Sequence, residues 1–225
     1  MDPNRKLWNE QQKTLRSALT FPVDHDKAIE LFLTQHAMLH TAEMSGMGLW
    51  SLEDEIWQGL DNESARCIPQ KFEHSIAWCF WHVTRCEDIT MNMLIAGTQQ
   101  LLLRDGWFER IRVQEGDTGN AMEADRIADF STRIDIQALQ DYRLSVGCRT
   151  REIVRALVPD ELEHKTSAAR LQQVLTEEAV LPSQQWLIDY WGGLTVAGLL
   201  LMPPTRHSLV HLNEAMKIKQ KIIRK

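Results

Sequence analysis

At 225 residues and 44% hydrophobic content, the chain is long enough to bury one sizeable core, and a single domain over 1–225 is the expectation. A net charge of −6 and a pI near 5.8 argue against nucleic-acid binding, which needs concentrated Lys and Arg to meet phosphate. Residues 1–6 lack the apolar core of a signal peptide and 194–202 is far shorter than the ~20 residues of a bilayer span, so neither secretion nor membrane insertion is expected.

Helical periodicity runs through the chain and alternating β-branched runs are almost absent, so the fold class is all-α. After Phe21-Pro22-Val23-Asp24, the segment 26–45 carries Ile29, Phe32, His36, Leu39 and Glu43 at steps of three and four. It stops at Ser45-Gly46-Met47-Gly48, which predicts a first long helix. A short helix over 51–60 follows, with Ser51 as N-cap and Asp54 as an approximate capping partner. The segment 71–103, interrupted by Gly97, carries one stripe of Cys79, His82, Cys86, Ile89 and Met93 beside another of Ile76, Phe80, Val83 and Leu94. Two adjacent apolar stripes predict one deeply packed helix.

Arg104-Asp105-Gly106 ends that helix, and the polar stretch to about 131 reads as loop with one short helix. A third long helix is expected over 135–157, a polar one over 165–179, and another over 183–202. In that last segment Gly192-Gly193 permits a kink or a close backbone approach. The final helix runs from about Thr205 to the C-terminus. Its basic end, Lys217, Lys219, Lys221, Arg224 and Lys225, complements the helix dipole and reads as solvated. Cys67, Cys79, Cys86 and Cys148 show no CxxC pairing, which predicts a reduced, cytoplasmic protein.

Two histidine pairs have the four-residue spacing that sets imidazoles on one helical face, His207-Ser-Leu-Val-His211 and His36-Ala-Met-Leu-His40. Neutral imidazole nitrogens suit divalent transition ions, and a helix presents two of them rigidly. A third ligand has to come from another helix. His82 is the best candidate, because it lies in a packed apolar stripe where an unpartnered polar ring is costly. The place of His207 near the start of its helix opposes protonation and keeps the ring available as a ligand.

Neighbouring groups have plainer readings. Cys86, one turn beyond His82, reads as a small buried hydrophobe rather than a soft ligand. Glu43, Glu87 and Glu214 lie near predicted histidine faces, where a carboxylate orients an imidazole or takes a proton. Ion pairing, as with Arg85 or Arg206, is the simpler reading for each. Trp50, Trp57, Trp78, Trp81, Trp186 and Trp191 read mainly as core, with the wall of a ligand pocket as the alternative.

Three stretches carry a family resemblance: Ser75-Ile-Ala-Trp-Cys-Phe-Trp-His82-Val-Thr-Arg-Cys-Glu-Asp88, Tyr190-Trp191 with Leu199-Leu-Leu-Met-Pro-Pro-Thr-Arg-His207, and His211-Leu-Asn-Glu-Ala215. Over about residues 32–222 the chain resembles the DinB-like superfamily of four-helix-bundle proteins. The resemblance implies a DinB-like four-helix bundle with additional short helices. It also implies a metal, nickel, zinc or iron, at one end of the bundle, held by His82, His207 and His211. His36 and His40 go beyond that pattern. His40 is a candidate fourth ligand or outer group, and the plain alternative for both is a polar pair in a helix seam with water or carboxylate partners.

Some members of the resembled family use a low-molecular-weight thiol such as bacillithiol, mycothiol or glutathione. An ion on three neutral imidazoles lowers the pKa of a bound water or thiol. The leading expectation is therefore a metal-dependent transferase using such a thiol, or a hydrolase, acting on a small-molecule substrate, with His40 or Glu43 assisting proton transfer. The alternative, from a different class, is a non-catalytic, metal-stabilised binding or stress-response bundle that dimerises through a helical face.

Overall fold

Side-chain caps start the long helices. In the computed structural model, which describes residues 2–21 and 23–224, Asp2 accepts hydrogen bonds from the backbone N–H groups of Asn4 and Arg5. This opens α1 (Pro3–Thr20), with Pro3 in the first turn. Asp24 caps α2 (His25–Ala37), Ser75 caps α3 (Ile76–Asp88) and Asp135 caps α4 (Ile136–Ala156). Two further helices frame the site, α5 (Gln185–Gly193) and α6 (Ser208–Ile223). Every residue of α3 is buried, and α3 packs against both α4 and α6. α2 lies against α4 and against the turn leading into α6, which closes an all-α bundle of α2, α3, α4 and α6. No strand forms among the described residues, where Lys165 and Thr195 make an isolated bridge.

α1 has no counterpart among the predicted elements, because its buried positions Trp8, Leu15 and Leu19 are too sparse to make a stripe. It is held by packing on α2, where the Trp8 indole donates to the Gln35 carbonyl at 3.0 Å. The predicted helix over 26–45 divides. α2 ends at Ala37, the chain turns, and a short helix, Ala42–Ser45, closes on the left-handed Gly46. Tertiary donors explain the break: Leu52 N–H takes the Met38 carbonyl, Arg143 the Leu39 carbonyl and the Ser51 hydroxyl the His40 carbonyl. Ser51 does cap the helix Leu52–Trp57, but the Asp54 carboxylate turns away to accept from the Ala42 N–H.

The predicted helix over 71–103 is also shorter. α3 widens into a π turn, Ile89–Ala96, that ends at Gly97 with φ 67. The Asp88 carboxylate then accepts the backbone N–H groups of Leu101 and Leu102, which starts the helix Leu101–Arg104. The polar stretch holds two short helices, Trp107–Ile111 and Ala124–Arg133, rather than one. The polar helix spans Ala168–Thr176. The segment 183–202 breaks after Gly193, and Thr195 caps a new turn, Val196–Leu200. Gly192 takes a close approach, since a Cβ there would meet Leu171 Cδ1 at 2.8 Å.

Two apolar clusters share α3. One gathers Trp81, Tyr142 and Leu212, the other Phe32, Ile89 and Trp191. Arg85, Glu87 and Asp88, all fully buried, flank Cys86, the α3 residue that feeds the second cluster. Asp88 accepts from Tyr142 Oη at 2.6 Å, Asn92 Nδ2 at 2.8 Å and Arg85 Nη1 at 3.0 Å. The basic end of α6 is not uniformly solvated. Lys219 is buried and its Nζ donates to the carbonyls of Glu55 and Gln58 at the end of another helix, while Lys225 lies outside the described residues. No described helix is long and apolar enough to cross a membrane.

Candidate metal centre

The Ser75 cap starts α3 so that His82 falls on the face meeting α6, with 2% of its surface exposed. Its Nδ1 lies 2.7 Å from the Thr118 carbonyl. A carbonyl can only accept, so Nδ1 carries the proton and the Nε2 lone pair is free. That Nε2 faces His207 Nε2 at 3.0 Å. His207 closes a π turn, Met202–His207, in which the prolines lack N–H groups and the Ser208 hydroxyl donates to the Pro203 carbonyl. His211 follows one turn along α6.

The three rings stand edge to face, with centroids 4.9 Å apart for His82 and His207, 4.6 Å for His82 and His211, and 4.7 Å for His207 and His211. One ligand nitrogen from each falls within 4.8 Å of the other two. Bonds of about 2.0–2.1 Å at angles of about 90–110° place ligand nitrogens about 3.0–3.4 Å apart, so the His82–His207 contact already has the span a transition ion needs.

A supporting layer orients the rings. His211 Nδ1 donates to Glu214 Oε2 at 3.2 Å, and His74 Nδ1 donates to Glu214 Oε1 at 2.8 Å. Burial pushes the Glu214 carboxyl up, but the hydrogen bonds from His211 and His74 outweigh it and bring its pKa down to about 2. The His82 ring stacks on Trp78, which stacks in turn on His74. Burial holds His82 well below the usual imidazole range, aided by the neighbouring His207 and His211. Burial and His211 lower His207 to about 3. Three converging imidazoles, with His82 braced at Nδ1 by a carbonyl and His211 by a carboxylate, are a donor set that fits a divalent transition ion.

The second histidine pair lies elsewhere. His36 Nε2 and His40 Nε2 donate to the two oxygens of Glu87 at 2.8 and 3.0 Å, and Thr150 Oγ1 adds a third donor at 2.7 Å. Glu87 follows His82 by five residues, about 140° around α3, so its cluster points away from the triad. Burial raises the Glu87 carboxyl, but His40 and His36 outweigh it and hold it well below the usual carboxylate range. His40 is lowered to about 3, by burial first and then by Arg143. The Nδ1 atoms of His36 and His40 are buried without a hydrogen-bond partner, as is His207 Nδ1, whereas His82 and His211 are both braced at theirs.

The two residues expected to assist proton transfer are not among those that converge with the triad. His40 is engaged by Glu87 on another face of α3, and Glu43 is exposed on the short helix Ala42–Ser45. Neither belongs to the group of His82, His207 and His211. Glu87 pairs with histidines instead of Arg85, which turns to Asp88, and Arg206 meets Asn9 instead of Glu214. His74 was legible as a member of the four-step register His74, Trp78, His82, whereas Thr118 acts through its carbonyl and leaves no side-chain signal.

A cavity of 180 Å³ opens beside His207. Trp186, Tyr190, Trp191, Met202 and Pro203 give it an apolar wall, and Cys86 lies in its lining. Burial pushes the Cys86 thiol up to about 12, so it stays protonated. Of the six tryptophans read from the sequence as core or pocket wall, Trp186 and Trp191 line this cavity, Trp78 stacks on His82, and Trp81, Trp57 and Trp50 serve the core.

A family model described as DinB superfamily matches residues 49–202, a span that includes His82 and stops before His207 and His211. No curated protein matches the chain.

Proposed function

Because this chain belongs to the DinB superfamily, we propose that His82, His207 and His211 bind a divalent transition ion, nickel, zinc or iron, and that the protein is a metal-dependent enzyme. The reaction is transfer of a low-molecular-weight thiol to a small electrophile, or hydrolysis with water in place of the thiol. The observation that carries this reading is the convergence of three rings from two helices at the edge of an aromatic cavity. A divalent ion on three neutral imidazoles keeps its charge and favours the deprotonated form of a water or thiol near neutral pH.

The protein's own residues do the rest. Thr118 and Glu214 fix which nitrogen of His82 and of His211 is free. Trp186 and Trp191 exclude water from the cavity in which a substrate meets His207. A cavity reaching the triad favours catalysis over a purely structural ion. The four free cysteines suit the reducing cytoplasm that thiol chemistry requires.

Elemental analysis of the parent and of the His207→Ala/His211→Ala double variant tests the ligand set, with loss of the ion from the variant expected. Equal metal in both overturns it. Consumption of free thiol against monobromobimane, with and without added metal, tests the transfer. Ester hydrolysis that persists after thiols are removed identifies the hydrolase.

A further inference from the structure

A second cavity adjoins the aromatic one. Tyr190 and Met202, two of its wall residues, also line a cavity of 500 Å³ beside α1 that contains Lys13, Arg16 and Arg206. No acidic residue lines that second cavity, although the chain as a whole carries a net charge of −6. Arg206 is held in place there by Asn9, whose Oδ1 accepts from Nη1 at 3.0 Å.

We propose that the site takes an amphiphilic ligand. An uncharged ring or branched alkyl group sits between Trp186 and Trp191 beside His207, and an anionic carboxylate, sulfonate or phosphate tail lies along Lys13, Arg16 and Arg206. The proposal rests on the reading of His207 as part of the reactive centre, and it adds the substrate class.

Size and charge decide which end goes where. An apolar cavity of about 150 Å³ is known to hold benzene, so 180 Å³ accommodates one substituted ring or a short branched chain. No charged side chain lines the aromatic cavity, and an ionised group placed there would lose its hydration without compensation. The cationic cavity offers the opposite environment, with guanidinium groups suited to planar oxyanions. The rim between them is unusually apolar for a surface. Trp186 is 56% exposed and Tyr190 40%, as expected of aromatic groups that a ligand covers. Lys13 and Arg16 come from α1 and Arg206 follows residue 202, so all three cations lie outside the family-matched residues.

The test uses 4-phenylbutyrate and its uncharged analogue 4-phenylbutan-1-ol, titrated into the full chain by tryptophan fluorescence and calorimetry, first ion-free and then with nickel. In ion-free protein the carboxylate is expected to bind about tenfold more tightly than the alcohol. Arg16→Gln/Arg206→Gln should erase that preference while leaving alcohol binding intact, which also reports that the variant is folded. Trp186→Ala should weaken both probes. Equal affinity for the two probes, a preference that survives the double arginine change, or no binding of either overturns the proposal. Carboxylate binding seen only with nickel also overturns it, because the probe is then a ligand of the ion. Failure of the metal reading leaves the ion-free titrations unaffected, so the two can be told apart.

Discussion

The Nε2 atoms of His82 and His207 face each other at 3.0 Å, although 125 residues separate them in the chain. Two ring nitrogens at that distance share either a proton or an ion. His82 spends its proton on Thr118, so in the ion-free protein the His207 Nε2–H donates and leaves His207 Nδ1 buried with no partner. Binding an ion replaces that arrangement and stabilises the folded state, by about 2.7 kcal/mol at a hundredfold excess over Kd. Thermal unfolding with nickel or zinc, against the same protein in EDTA, should show a clear rise in Tm; superimposable curves would contradict the site.

Glu214→Gln should weaken metal binding about 10- to 100-fold, because the neutral amide no longer holds His211 in its ligating tautomer. Competition with a colorimetric chelator measures this directly. Unchanged affinity in a folded variant would show that the carboxylate does not orient the ring.

Glu87→Ala should cost about 3–5 kcal/mol of stability, since it strands the ring N–H groups of His36 and His40 and the Thr150 hydroxyl inside the bundle. Urea unfolding gives the loss. Metal content should stay at the parent level, because the Glu87 cluster and the triad occupy different faces of α3. Loss of the ion at constant stability would reverse that assignment.

Acidification should destabilise the protein through His40. Its pKa is lowered from 6.5 to about 3 in the folded state, so the unfolded chain binds the proton more readily. The associated stability is complete above pH 6.5 and is lost as pH falls towards 3, at roughly 1.4 kcal/mol per pH unit. His40→Gln should flatten the urea midpoint over that window. The same slope in parent and variant would assign the dependence to other groups.

Cys86 should resist monobromobimane at neutral pH while Cys67 and Cys148 are labelled. Cys86 is 3% exposed and its thiol is pushed up to about 12, whereas the other two are exposed. Peptide mapping after brief labelling reads this out, and prompt modification of Cys86 would make it a nucleophile of the cavity.

Helical spacing in the sequence was enough to identify an all-α chain and the cap Ser51, because each depends on neighbours within one or two turns, whereas His82 and His207 meet across 125 residues and their grouping with His211 was what the family resemblance implied. The separation of His40 from the triad depended on which carbonyls and carboxylates the packed bundle brought within reach. Arg143 and Ser51 drew the backbone out of helix at residues 39 and 40, and Glu87 captured the two rings. α1 and its cations were likewise positioned by packing on α2, since its sparse apolar residues carry little periodic signal. Local periodicity encodes the face a residue occupies, but which distant group satisfies a buried nitrogen or oxygen is decided only when the helices assemble.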